Sequence, residues 1–120
     1  MAKYVDGFVL AVPKKNVEDY RKLARKAGKL WRELGAIEYR ECVADDVPYG
    51  KVTSFPRSVE RKNNETVIFA WITYKSRAQR DEINEQIMTD PRMLKMMQET
   101  DRIFDPSRMI YGGFETIVDL

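Results

Sequence analysis

Residues Glu65–Tyr74 read ETVIFAWITY, ten positions without glycine or proline. β-Branched and aromatic residues dominate the stretch, which predicts a strand. Alternation along a strand sends Val67, Phe69, Trp71 and Thr73 to one side, and Thr66, Ile68, Ala70, Ile72 and Tyr74 to the other. Both sets are mostly apolar, so neither side of this strand is suited to water. Helices can cover one side. The second side needs a cover of its own, and that demand governs how the remaining chain is read.

Outward from this strand, the chain alternates between two periodicities. Lys3–Val12 reads as a strand ended by Pro13. Asn16 and Asp19 have the spacing of a capping box, and Val17, Tyr20, Ala24, Ala27, Trp31 and Leu34 recur at helical intervals until Gly35. Residues 36–44 (AIEYRECVA) read as a second strand. Residues 45–64 are polar and turn-rich, with 52–59 extended, and a connection of this length predicts a hairpin arm or a lid. After the central strand, Ser76 and Gln79 form an S-x-x-Q capping box opening a helix with Ile83 and Ile87 inward. Asp90-Pro91 starts a short apolar helix carrying Met93, Leu94, Met96 and Met97. Residues 108–118 return as the last strand, with Gly112-Gly113 marking a bulge or a close backbone approach. The expected fold class is α+β: a ferredoxin-like βαββαβ domain spanning 1–120, a four-stranded antiparallel sheet with helices on one face.

Composition removes several functions. With no histidine, the usual neutral-pH base and the commonest transition-metal ligand are missing, so no metal site is expected. The single cysteine, Cys42, precludes an intramolecular disulfide and points to a cytoplasmic setting. A net charge of +2 argues against nucleic acid as a partner. The first helix does carry a basic stripe, including Arg21, Lys22, Arg25, Lys26, Lys29 and Arg32, which ranks RNA binding as a third reading behind a solvated helix face. No apolar run approaches the roughly 18 residues of a membrane span. The apolar N-terminal stretch is interrupted by Asp6 and reads as a strand rather than a signal peptide.

Sorting strand residues by polarity separates two faces. Val5, Gly7, Val9, Ala11, Ile68, Ala70, Ile72, Ile110, Gly112, Phe114 and Val118 are small or aliphatic and suit helix packing. Asp6, Phe8, Phe69, Trp71, Met109, Tyr111 and Glu115 form an aromatic face with isolated polar groups. Self-association would bury that second face, so a homodimer is expected. Four blocks, KYVDGFVLAVP (3–13), ECVADDVPYGKVT (41–53), TDPRM (89–93) and RMIYGGFE (108–115), together resemble the YbaA-like bacterial family of unknown function within the dimeric α+β barrel superfamily. The resemblance implies the fold and the dimer and no settled reaction.

On the aromatic face, Asp6 and Glu115 are the candidate catalytic carboxylates, Asp6 as base and Glu115 as an orienting or proton-donating group. The competing role is a hydrogen-bonded structural pair. Trp71, Tyr111, Phe69 and Met109 are candidate ligand-binding residues, with packing in a dimer core as the alternative. Cys42 lacks a base partner and reads as a small packed hydrophobe. No cofactor is expected, since no Walker or dinucleotide glycine motif is present. The leading function is a small-molecule-binding dimeric barrel, a cofactor-free enzyme being one form of it, acting on a small polar or aromatic metabolite. By fold it has relatives among oxygenases and isomerases. The alternative is a noncatalytic structural or stress-associated homodimer with a packed interior. A cavity of roughly 300 Å³ or more between sheet and helices favours the first, and a filled interior favours the second.

Overall fold

The computed structural model describes residues 2–120. Its elements in chain order are β1 (Tyr4–Pro13), α1 (Val17–Glu33), β2 (Glu38–Val43), α2 (Phe55–Ser58), β3 (Glu65–Tyr74), α3 (Arg77–Thr89), α4 (Pro91–Ile103) and β4 (Ile110–Glu115). The strands form one sheet in the order β2-β3-β1-β4, antiparallel throughout. This is the ferredoxin-like arrangement expected from the sequence. Among the described residues, no helix is long and apolar enough to cross a membrane.

Local signals explain most element boundaries. The Ser76 hydroxyl accepts from the Gln79 N–H at 3.2 Å and caps α3. The Asp90 carboxylate accepts from the Arg92 N–H at 2.8 Å and caps α4, with Pro91 in its first turn. Gly35 has φ +118° and ends α1 where a side chain would be strained. Asn16 departs from expectation. A 3₁₀ turn over Lys14–Asn16 precedes α1, and the Asn16 amide donates instead to the Ile103 carbonyl at 2.9 Å. Helix α4, expected to be short, runs for 13 residues. Gly112-Gly113 makes no bulge, because the β1–β4 register runs unbroken through both. Gly113 is a close approach: a Cβ there would collide with the Tyr4 hydroxyl and the Arg80 guanidinium.

Residues directly opposite in an antiparallel pair share a face. Phe69 and Trp71 lie opposite Val9 and Gly7, which in turn face Ile110 and Gly112. The open face therefore carries Val5, Gly7, Val9 and Ala11 of β1 and Ile110, Gly112 and Phe114 of β4. The helix-covered face carries Tyr4, Asp6, Phe8, Leu10 and Val12, with Tyr111, Gly113 and Glu115. This reverses the sequence assignment of β1 and β4, while that of β3 stands. The reason is that polarity does not sort β1. Asp6 is tolerated beneath the helices because Arg80 of α3 and Tyr74 of β3 engage it. Helices cover Leu10, Val12, Ile68, Ala70, Ile72 and Tyr74, the buried core of the sheet.

The 45–64 connection is neither extended nor a hairpin. Ser54 caps the short helix α2, in which Pro56 occupies the first turn. The Arg57 guanidinium stacks on the Tyr49 ring at 4.1 Å and donates to the carbonyls of Tyr49 and Gly50. Val59 is buried against Val9, Ala11 and Val67, so the segment covers one end of the open face. The rest stays uncovered: Phe69 is 44% exposed, Ile110 46% and Phe114 64%.

A buried ion pair ties this cover to the sheet. Arg108 donates to both oxygens of Glu65, at 2.9 and 2.6 Å, and to the carbonyls of Val59 and Glu60. Glu65→Gln leaves the guanidinium with only the partly exposed Asp105 carboxylate, 3.1 Å away, as counter-charge, and a loss of about 3 kcal/mol, the low end for a broken buried pair, is expected from urea denaturation. Arg108 holds the Glu65 carboxyl below the ordinary 4.5. The pair's contribution is therefore complete above that value and is lost as pH falls through the lowered one. The stability difference between wild type and Glu65→Gln should shrink on acidification, and a constant difference would show that the pair does not act in this way.

Candidate functional site

Small residues on the inner side of α1, among them Ala24 and Ala27, leave part of the space between helix and sheet unfilled. The result is a cavity of about 280 Å³ between the sheet, α1 and α4. Phe8, Leu10, Ala70 and Ile72 line it from the sheet, and Tyr20, Trp31, Met93, Met96, Met97 and Phe104 from the helices. Its volume falls just below the ~300 Å³ at which small-molecule pockets commonly begin. Thioether side chains adapt easily to a guest, so the methionine wall is compliant.

One carboxyl faces this apolar space. Glu41 of β2 accepts from the Tyr20 hydroxyl through Oε1 and from the Tyr39 hydroxyl through Oε2, both at 2.7 Å. Rings continue the wall on either side. Tyr20 meets Phe104 edge-on at 5.6 Å between centroids, and Tyr39 meets Trp31 at 6.2 Å. Burial pushes the Glu41 carboxyl above its ordinary value, and the two phenol donors offset this only in part. Both phenols are pushed upward, first by burial and then by the carboxylate beside them, so they remain donors. The same residues separate the cavity from a second groove of about 530 Å³ between α1 and the edge strand β2, bordered by Arg21, Arg25, Lys29 and Arg32.

The Tyr39 ring sits where it does because of Gly28. A Cβ on Gly28 would lie 2.6 Å from the Tyr39 ring, well inside contact distance. Glycine inside a helix is normally unfavourable by roughly 1 kcal/mol, so its use here reflects the ring's need for space.

The residues singled out from the sequence do not form one site. Asp6 is buried on the helix-covered face, within 3.7 Å of Arg80 Nε and hydrogen-bonded to Tyr74. Burial raises its carboxyl more than these partners lower it. Glu115 is exposed and lies opposite Tyr4, two pairs beyond Gly113, the residue opposite Asp6. Neither carboxylate lines the cavity. Met109 does, Trp71 is also among the residues at its border, and Tyr111 stacks on Phe8 at 6.4 Å. Phe69 and Trp71 project from the opposite face, where Trp71 Nε1 donates to Glu38 at 2.8 Å. Trp71 and Tyr111 thus stand on opposite sides of the sheet and cannot make a single platform within one chain. Cys42 is exposed on the edge strand rather than packed. Among the described residues, no group of three or more cysteines and carboxylates converges in a manner suited to a metal.

Sequence reading missed Tyr20, Tyr39 and Glu41 as a unit. The available signal was weak but physical. Tyr39, Glu41 and Val43 alternate on one face of a strand, and a glutamate facing helices needs donors.

A family model described as "Protein of unknown function (DUF1428)" matches residues 3–106. The chain is 50% identical over 117 residues to the uncharacterized protein YbaA of Escherichia coli K12 and, at the same level, to that of Shigella flexneri, each match covering 98% of both chains. Among solved structures it resembles a dimeric ferredoxin-like protein from an uncultured marine organism (TM-score 0.63, 11% identity, all of both chains). It also resembles a mutant of SnoaB, a cofactor-independent oxygenase from Streptomyces nogalater (TM-score 0.62, 14% identity, 100% of this chain and 98% of that one). At these identities the likeness shows the fold alone.

Gly28→Ala tests the packing that builds the site. Overpacking costs about 1–3 kcal/mol, against roughly 1 kcal/mol gained from alanine's helix propensity. A net loss is therefore expected in the wild-type background. In a Tyr39→Leu background the same change should stabilise. Equal effects in both backgrounds, measured by urea denaturation, would dissociate Gly28 from the ring.

Proposed function

We propose, for a chain that belongs to the family described as "Protein of unknown function (DUF1428)", that it binds a small, largely apolar or aromatic metabolite in the cavity between the sheet and helices α1 and α4, and does so as a homodimer. The observation that carries the binding reading is the unfilled 280 Å³ space with one polar cluster, Tyr20–Glu41–Tyr39, in its wall. A packed interior would have favoured the noncatalytic alternative. If the protein carries out cofactor-free chemistry, Glu41 is the proton-transfer group we propose for it. Its carboxyl is raised by burial and borders the cavity. Asp6 is engaged by Arg80 and Tyr74, and Glu115 is exposed.

The neutral fluorophore 1-aminoanthracene is a suitable probe. It should bind saturably and quench Trp31 emission, since Trp31 lines the cavity. Ala27→Phe, which fills the space, should abolish binding while retaining cooperative unfolding. Nonsaturating fluorescence, or full binding to Ala27→Phe, would return the protein to the packed, noncatalytic reading.

The dimer is supported by the uncovered part of the open face, where Phe69, Ile110 and Phe114 stand exposed beside Trp71. Burying each large side chain contributes about 1.5–3 kcal/mol. Sedimentation equilibrium at micromolar concentration should give twice the 14.1 kDa chain mass. Phe69→Glu should dissociate it, and Lys26→Glu on the α1 surface should not. A wild-type monomer of 14.1 kDa would overturn the proposal.

A further inference from the structure

We infer that the cavity's ligand is an organic cation: a primary or substituted ammonium on an aromatic or aliphatic body, its nitrogen seated against Glu41 and its body among the rings and methionines. The inference rests on the cavity reading above and names the ligand class for that site.

Three observations converge on it. First, Glu41 is a carboxyl facing apolar space with no cationic partner. Among the described residues no lysine or arginine forms an ion pair with it, and its charge is acted on by burial, Tyr20 and Tyr39 alone. The nearby guanidinium of Arg40 is occupied elsewhere, paired with Glu38 at 3.5 Å and donating to the Tyr39 carbonyl. An ionised carboxylate accepts about four hydrogen bonds, and the two phenols supply two. What remains is acceptor capacity and an uncompensated negative charge, the complement of an ammonium.

Second, the side chains around that carboxyl are aromatic. Tyr20 and Tyr39 flank it, with Phe104 and Trp31 beyond them. The two phenols present their hydroxyls to the carboxylate, and the electron-rich ring faces left over from those contacts suit a cation better than an anion. The methionine sulfurs of α4 add polarisable, charge-tolerant contact to the opposite wall.

Third, burial disfavours the charge on Glu41 in the empty cavity. Arrival of a cation reverses this, so binding and ionisation support one another. A neutral ligand would gain nothing from the carboxyl's charge, and an anionic one would be repelled by it. The basic residues Arg21, Arg25, Lys29 and Arg32 border the adjoining open groove, which Glu41 also borders, and are not among the residues lining the cavity, whose one basic lining residue is the Arg40 already paired with Glu38.

The test compares three ligands of one shape by isothermal titration calorimetry: 2-(2-naphthyl)ethylamine, 2-(2-naphthyl)ethanol and 2-naphthylacetate. The amine should bind wild type ~10-fold or more tightly than the alcohol, and the carboxylate should bind weakest. Glu41→Gln should bring the ratio of amine to alcohol affinity close to unity. Should that variant unfold, the three-ligand order on wild type still decides. Alcohol binding equal to amine binding, or preference for the carboxylate, overturns the cation assignment while leaving the cavity reading intact. Failure of all three ligands together with 1-aminoanthracene overturns both.

Discussion

The pairing of β1 with β3 over ten residues, from Tyr4↔Tyr74 to Pro13↔Glu65, is the constraint on which the remaining structure depends. Because β3 is apolar on both sides, its register against β1 assigns every neighbouring side chain to one of two covers. One side receives α1, α3 and α4. The other receives α2 and Val59 at one end and is open elsewhere. A shift of one residue would exchange the two sets and place Phe69 and Trp71 under the helices.

The charged groups inside this frame fall into two kinds. Glu65 with Arg108, and Asp6 with Arg80, are compensated by a partner of opposite sign. Both pairs bind distant parts of the chain together: Arg108 reaches Val59, Glu60 and Glu65, and Arg80 of α3 reaches Tyr4 and Asp6 of β1. Glu41 has hydrogen-bond donors but no such partner. Structural carboxylates are satisfied within the chain, and the exception lies on the wall of the cavity.

Much of this was legible in the sequence. Strand periodicity, the Ser76 and Asp90 caps and the β-rich run at 65–74 give the element order, because each is a local effect. The two faces of β1 were not legible, since Asp6 looks like an open-face residue until Arg80 and Tyr74, about 70 positions later in the chain, are brought to it. The helical form of residues 55–58 was hidden by Pro56, which reads as a strand breaker but serves equally in a first helical turn. The Tyr20–Glu41–Tyr39 cluster was invisible for the same nonlocal reason. Helical spacing marks Tyr20 as core, and nothing in its neighbourhood announces a glutamate from β2.

The strand order has a consequence for how the chain reaches this state. β1 lies between β3 and β4, so its two neighbours come from the second half of the sequence, and no hairpin unites it with β2. Long loops must close before any of these contacts is rewarded, which slows folding relative to a chain built from adjacent hairpins. During synthesis, β1 and the inner face of α1 wait with their apolar sides uncovered until β3 has emerged. The first half of this chain is thus the part most dependent on chaperones, and the part whose premature truncation would favour aggregation over a folded fragment.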